Sequence, residues 1–414
     1  AFLSGLGGVT GGTLTVVCHD RTYRYGEPGE LDATLTVDDE RFFLRALTGS
    51  DIGFGESFMN GEWTTPDLVP LVRLMLRNRR VLEAQGRVAG ALHRLADGVA
   101  RRLRDNSLAG SRRHIHRHYD LGNEFFRLFL DAELLMYSCG YFESLADTLE
   151  QAQARKVDRI CRALQLSPDD HVLEIGSGWG GFAVWAATRY GCRVTTTTIS
   201  DEQYRHVCDW RSRIGAAGAR IEILRADYRE LTGRFDKVVS IEMFEAVGLE
   251  HYDDYFSAVD RLLAPDGVMF LQTITLDDQW FPKYHGTPDW IEKYIFPGGE
   301  LASVGEILKS LARTTSLSMY HAENCGTHYA RTLHAWRARY HDNLARVRAL
   351  GFDERFIRMW DLYLGSCEAT FLERHTGLFQ LLLVKNGAQR ALFNEPWSDT
   401  AKGPRAAAAS ESVA

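Results

Sequence analysis

Polar and apolar residues alternate over Gly12–Val17 (GTLTVV) and Ala33–Val37 (ATLTV), the period-two pattern of strands, with turn residues Gly26, Pro28 and Gly29 between them. Phe42–Leu47 is a further strand candidate. From Asp67 the period lengthens. Leu68, Leu71, Val72, Leu74, Met75 and Leu76 share a helical stripe, which predicts a helix with a break near Asn78 and a continuation to about Leu103. Residues 1–100 therefore read as a small α+β domain.

Further on, Thr148–Leu166 has helical spacing. Short apolar or β-branched runs then follow at Val172–Ile175, Cys192–Ile199, Ala219–Arg225, Phe235–Ile241 and Gly267–Ile274. Helical stretches from Phe182, at Asp201–Ile214 and at Tyr252–Leu263 separate several of them. Strands alternating with helices predict an α/β fold, a mainly parallel Rossmann-like sheet with helices on both faces. Ligands of such sheets lie beyond the carboxyl ends of the strands. Residues 276–300 form an insertion rich in Trp, Tyr, Phe and Pro, read here as an aromatic lid or as an ordinary packed excursion. Leu301–Leu317, Thr332–Leu350 and Phe356–Phe371 read as helices and Gly377–Lys385 as a closing strand. The main unit is thus residues 117–396, and the Ala- and Ser-rich tail 397–414 is expected to be disordered.

Composition narrows the class. Of the 414 residues, 45% are hydrophobic and 25% charged, and the net charge of −7 argues against a general nucleic-acid binder. No run of about 18 apolar residues is present, so no bilayer-spanning helix is expected. No secretory leader pattern is visible, and the start at Ala1 suggests a natural N-terminus further upstream. The seven cysteines are odd in number and form no CxxC pair, which fits a reduced cytoplasmic compartment and no structural metal. Six arginines and three histidines crowd 101–118. This basic linker, 101–116, is either a solvated connector or a surface for anionic phosphate headgroups.

The candidate chemistry centres on Val172–Phe182, VLEIGSGWGGF. A strand, a turn with Gly176, Gly178, Gly180 and Gly181, and a helix bring backbone N–H groups close to a ligand. A dinucleotide site would place a carboxylate about 20 residues on, for the ribose. The second strand instead ends in Thr197, Thr198, Ile199 and Ser200, which disfavours NAD, and no phosphate-cradling GxxxxGK[ST] surrounds the turn. S-adenosylmethionine needs no pyrophosphate cradle, and its charged amino-acid part suits a glycine turn with a carboxylate such as Glu174 beside it.

Six separated motifs, HYDLGNEFF, LMYSCGYF, LEIGSGWGGF, TTISDEQ, FEAVG and YIFPGG, occur in an order that resembles the cyclopropane fatty acyl phospholipid synthases and their mycolic-acid relatives. The resemblance covers about Arg117 to Lys385. It implies a class I methyltransferase fold, methyl transfer from S-adenosylmethionine to the cis double bond of a lipid acyl chain, and a sterol-carrier-like lipid-binding N-terminal domain. It further implies peripheral contact with unsaturated phospholipids at the inner membrane surface and a homodimer. Carried over by position, it implies a bicarbonate ion held by Cys139, Glu245, Tyr363 and the Ile274 N–H. For S-adenosylmethionine it implies Tyr137, Ser138, Gly176, Gly178, Thr198 and Gln203, with Asp227 and Tyr228 on the adenine side and His118 and Tyr119 closing the pocket.

Two positions depart from the pattern. Ala246 and Gln272 stand where many members carry histidine. Gln272 is expected to replace histidine as an anion ligand, although an amide cannot relay a proton near neutral pH. Glu242 is expected to be structural, or near the cofactor through its backbone. The alternatives are a methylene- or methyl-branched product on the same fold, and a non-catalytic lipid carrier.

Overall fold

The computed structural model describes residues 6–48, 50–81 and 121–388. The first part is a four-stranded sheet, ordered β2-β1-β3-β4, of β1 (Gly12–Cys18), β2 (Arg21–Gly26), β3 (Leu31–Val37) and β4 (Trp63–Thr64). β1 pairs antiparallel with β2 and parallel with β3. β2 is absent from the strands expected above. Neither of its faces is buried, so it carries no alternation to read.

Phe42–Leu47, expected as a strand, lies in helix α1 (Arg41–Thr48). In a strand Phe42 and Leu44 would share a face. Here Phe42 is fully buried against Phe54 and Trp63 while Leu44 is 67% exposed. Asp39 opens the helix by accepting the Arg41 N–H at 2.9 Å. Helix α2 (Ser50–Met59) follows, and then α3 (Leu68–Arg77), which Asp67 caps through the Val69 N–H. α3 stops at Asn78, as its sequence predicts. The buried Asn78 amide donates to Leu74 O and Thr10 O, both at 2.9 Å, and accepts the Thr10 N–H at 2.8 Å. Asn78→Ala strands these groups and is expected to cost about 1–3 kcal/mol, measured by denaturant unfolding. The expected continuation to Leu103, the basic linker 101–116, His118, Tyr119 and the tail 397–414 lie outside the described residues.

The main sheet has seven strands in the order β10-β11-β9-β8-β5-β6-β7. They are β5 (His171–Ile175), β6 (Arg193–Thr197), β7 (Ile221–Leu224), β8 (Phe235–Ile241), β9 (Leu263–Leu276), β10 (Leu317–Asn324) and β11 (Thr376–Lys385). β5 to β9 run parallel, β11 pairs antiparallel with β9, and β10 antiparallel with β11. β10 has only Leu317 buried, so this edge strand lacks the apolar face that would mark it in a sequence.

The parallel strands are apolar on both sides, and two clusters cover them. After the short helix α4 (Asn123–Phe126) come α5 (Leu149–Ala163) and α6 (Gly181–Trp185), which pack on Val172, Val194 and Val239. After α7 (Asp201–Arg213) comes α8 (Tyr252–Leu262), which packs on Leu173, Ile175 and Val238. In the insertion are α9 (Phe281–Tyr284) and α10 (Trp290–Tyr294), followed by α11 (Val304–Thr314), α12 (Gly326–Asp342), α13 (Leu344–Ala349) and α14 (Glu354–Leu372).

One apolar core runs from the N-terminal sheet into the main unit, joining Leu35, Trp63 and Leu71 to Trp336, Trp360 and Leu364. Arg73 and Arg77 each reach Glu373 at 2.7 Å across this junction. The aromatic insertion is fastened there too. Tyr294 and Lys293 bond Glu56 at 2.7 Å, and a side chain at Gly55 would strike Trp290 at 2.2 Å. The insertion is therefore a packed bridge in this structure. Among the described residues no helix is long and apolar enough to cross a membrane.

Candidate active site

β5 delivers the chain into the glycine turn at the carboxyl edge of the sheet. Gly176, Gly178 and Gly180 have φ of 94°, 48° and 93°, the left-handed region that favours glycine. The Gly176 and Ser177 N–H groups both donate to Thr197 O at the end of β6, which holds the turn against the neighbouring strand. A Cβ placed on Gly178 would meet no protein atom within 4 Å, so the turn presents an open face there. That is the geometry a ligand approaching the backbone requires.

The other expected cofactor residues surround this edge. Glu174 lies buried beneath the turn and accepts from Thr196 Oγ1 at 2.6 Å. Thr198 Oγ1 bonds Gln203 Oε1 at 2.8 Å, so this pair closes the second strand where a dinucleotide site would carry a carboxylate. Ser138 receives Lys156 Nζ on its hydroxyl and Gln153 Nε2 on its carbonyl, both at 2.7 Å. Asp227 is held on both oxygens by the Arg229 guanidinium at 2.8 Å, and Tyr228 packs inward on Tyr255.

Burial drives the Glu174 carboxyl up to about 8, from 4.5 in the open chain. In that window the folded protein keeps a proton that the unfolded chain has released. This contribution to stability is full below the unfolded value and is lost as pH rises through the folded one. Wild type is therefore expected to lose stability relative to Glu174→Gln as pH rises from about 4.5 to about 8, by up to about 1.4 kcal/mol per pH unit, in paired denaturant titrations.

The second half of the site lies one strand over. Asp131 accepts the Leu134 and Met136 N–H groups at 2.6 and 2.7 Å, turning the segment so that Tyr137–Tyr141 cross the strand ends. Directly after β8, Glu242 adopts φ 50°, a strained conformation for a side chain of this size. Its Oε1 accepts from the Cys139 N–H at 2.9 Å and Gln272 Nε2 at 2.8 Å, and its Oε2 from the Tyr329 hydroxyl at 2.5 Å. Gln272 is held in turn by Gln380 at 2.9 Å, its register partner on β11, and Gln380 by Arg159 at 3.2 Å. Arg159 is anchored by Glu323.

Glu245, three residues on, takes the Ile274 N–H on Oε1 at 2.5 Å. Its buried Oε2 has no hydrogen-bond partner among the described residues. Burial first, then Glu242, push its carboxyl up to about 8. Burial also raises the Glu242 carboxyl, against the pull of its three donors. Burial and Glu242 hold the Cys139 thiol well above its ordinary value, so the thiol is neutral and Cys139 serves this cluster through its backbone.

Cys139, Glu245, Gln272 and Ile274 are thus gathered as expected for one site. The Tyr363 hydroxyl pairs with that of Tyr137 at 2.9 Å, and Tyr329, which is not among the expected site residues, donates to Glu242. Tyr329, Thr332 and Trp336 lie at helical spacing on the buried stripe of α12, and hydroxyls within an apolar stripe are the signal that marks them. Lys156 occupies the corresponding stripe of α5, and burial lowers it to about 8.

The residues present do not fit a captured bicarbonate ion. The Ile274 N–H is engaged by Glu245, and the Cys139 N–H and Gln272 amide by Glu242. A further anion would stand between two carboxyl groups and repel whichever is ionised.

Similarity to known proteins agrees with this geometry. The mycolic acid cyclopropane synthetase family model matches residues 106–381. The chain is 39% identical over 345 residues to the tuberculostearic acid methyltransferase UfaA1 of Mycobacterium tuberculosis, covering 81% of this chain and 79% of that protein. It is 37% identical over 377 residues to the cyclopropane-fatty-acyl-phospholipid synthase of Escherichia coli K12, covering 88% and 91%. The cyclopropane synthase MmaA2 from M. tuberculosis superposes with a TM-score of 0.62 at 32% identity, over 66% of this chain and 98% of that one. A mycolic acid cyclopropane synthase, CmaA1, complexed with SAH and CTAB gives 0.61 at 33% identity, also over 66% and 98%. With its glycine turn open at Gly178 and its carboxylates one strand away, this chain belongs to the mycolic acid cyclopropane synthetase family and is an S-adenosylmethionine-dependent class I methyltransferase.

Proposed function

We propose that the protein transfers a methyl group from S-adenosylmethionine to the cis double bond of unsaturated phospholipid acyl chains, giving cyclopropane fatty acids. The observation that carries this reading is the pair of buried carboxyl groups, Glu242 and Glu245, next to the aromatic rings that line the same sheet edge. Tyr137 lies 5.3 Å from Trp336 and 6.3 Å from Phe296, centroid to centroid, and Phe296 meets Tyr363 at 5.7 Å. A site for small polar substrates has no need of such a wall.

S-adenosylmethionine supplies the electrophilic methyl. The chain's own residues do the rest. A cis alkene is a weak nucleophile, and its alkylation leaves a cation on the acyl chain. A carboxylate about 4 Å from that cation stabilises it by roughly 4 kcal/mol at an effective dielectric of about 20. That is worth about a thousandfold in rate. The faces of Tyr137, Trp336 and Phe296 add cation–π attraction and exclude water. Phe126 meets Tyr137 at 5.3 Å and Trp179 of the glycine turn at 4.9 Å, so the wall adjoins the turn that would hold the methyl donor.

Access to acyl chains is at the membrane surface, through peripheral contact on its inner side. Incubating the protein with labelled S-adenosylmethionine and vesicles of a monounsaturated phospholipid tests the reading. Label is expected in the lipid, and none there overturns it. The same cation, losing a different proton, yields a methylene-branched chain. Gln272 in place of a proton-relaying histidine is the observation that favours this second product. The two have equal mass, and proton NMR separates ring from methylene hydrogens.

A further inference from the structure

We propose that Glu242 is the built-in proton acceptor of this enzyme, its carboxylate replacing a captured free anion. The assignment rests on the lipid-alkylation reading above. Three donors from three separate parts of the chain converge on this one carboxylate: the Cys139 N–H, the Gln272 amide and the Tyr329 hydroxyl. Such a set is what would otherwise hold a small oxyanion, and here a side chain of the protein fills it. A left-handed backbone at Glu242 is a cost the fold bears to aim that side chain inward. The relay Arg159–Gln380–Gln272 fixes the orientation of the Gln272 amide, so its N–H rather than its carbonyl faces Glu242.

The neighbouring carboxyl sharpens the assignment. Two carboxyl groups this close do not both ionise readily. Both Glu242 oxygens are met by donors from separate parts of the chain, while Glu245 keeps a buried Oε2 with no hydrogen-bond partner among the described residues, so the negative charge resides on Glu242. Tyr329 keeps its proton, because burial and Glu242 hold its hydroxyl far above the usual range.

The step balances as follows. The methyl carbon bonds one alkene carbon as its bond to sulfur breaks, and the neutral thioether leaves. The other alkene carbon becomes the cation. Glu242 takes a proton from the new methyl, and the C–H electron pair closes the third ring bond. The resulting carboxylic acid returns its proton to water after product release. A C–H beside a carbocation is far more acidic than a carboxylic acid, so the three donors do not prevent the transfer.

The full-length protein tests this with two variants. Glu242→Gln keeps the shape and removes the charge. Glu242→Gly relieves the left-handed strain and leaves the three donors around a vacancy. Turnover on monounsaturated phospholipid vesicles is expected to be the same in bicarbonate-free and bicarbonate-supplemented buffer for wild type. Both variants are expected to lose about a thousandfold in turnover while binding S-adenosylhomocysteine normally by calorimetry. Added bicarbonate or formate is expected to restore at least about tenfold to Glu242→Gly and nothing to Glu242→Gln. The resonance of 13C-bicarbonate is expected to broaden with Glu242→Gly and to stay unchanged with wild type. Overturning results are a wild type that needs bicarbonate or binds it, a Glu242→Gln enzyme within about tenfold of wild type, no rescue of Glu242→Gly, or loss of S-adenosylhomocysteine binding in both variants. If wild type fails to alkylate lipid, the proposed substrate fails, and the 13C measurement still decides the assignment.

Discussion

Gly178→Val is expected to weaken S-adenosylmethionine binding by at least about a hundredfold while the protein still folds, a loss of about 2.7 kcal/mol read by calorimetry. The added side chain meets no protein atom within 4 Å, so it enters the space left for the ligand. Its folding cost comes from φ 48° and amounts to about 1–2 kcal/mol, with a β-branched residue near the upper end. Gly181→Ala is the contrasting control. There a Cβ would lie 2.5 Å from Met136 Sδ and 2.6 Å from Leu134 O, so the substitution drives the start of α6 off the segment leading to Tyr137. It is expected to destabilise by about 1–3 kcal/mol, seen as a lowered denaturation midpoint. If Gly178→Val bound the cofactor normally, the open face of the turn would not be its site.

Trp336→Ala is expected to cost about 3–5 kcal/mol in denaturant unfolding, among the largest single-residue effects in the chain. Trp336 is fully buried on α12. Its ring touches Phe129, Tyr137 and Tyr329, at centroid distances of 6.2, 5.3 and 6.1 Å. Removing it leaves a void between the aromatic wall and the tyrosine that bonds Glu242. Its buried Nε1 makes no hydrogen bond among the described residues. Trp336→Phe therefore strands no partner and is expected to cost less than half as much. Equal losses for the two variants would mean that the indole N–H, and not the volume, carries the effect.

Local signals carried much of the architecture. The apolar run into a glycine turn at Val172–Phe182 requires a buried strand ending at a ligand face, and β5 with the open side of Gly178 is that arrangement. Asn78 ends α3 because its own amide competes for the last carbonyl groups, a property of the residue type. Failures occurred where an element had no apolar periodicity to display. β2 and β10 are edge strands with little buried surface, and α1 shows its helical face only through what Phe42 packs against.

The candidate site divides the same way. Cys139, Glu245, Gln272 and Ile274 could be named because the motifs around them resemble those of the cyclopropane synthases, and the resemblance carries its site residues over by position. What they bond to could not. Glu242 meets Cys139 across 103 residues, Tyr329 across 87 and Gln272 across 30, so no window of the chain contains the cluster. The sheet, the glycine turn and the carboxylates near it are legible along the chain, since they follow from local conformation and burial. Packing is what brings the Tyr329 hydroxyl onto Glu242 and seats that carboxylate on the Cys139 N–H and the Gln272 amide. Hydrogen bonds act over about 3 Å, and which groups come that close is settled when distant elements pack, not by their spacing along the chain.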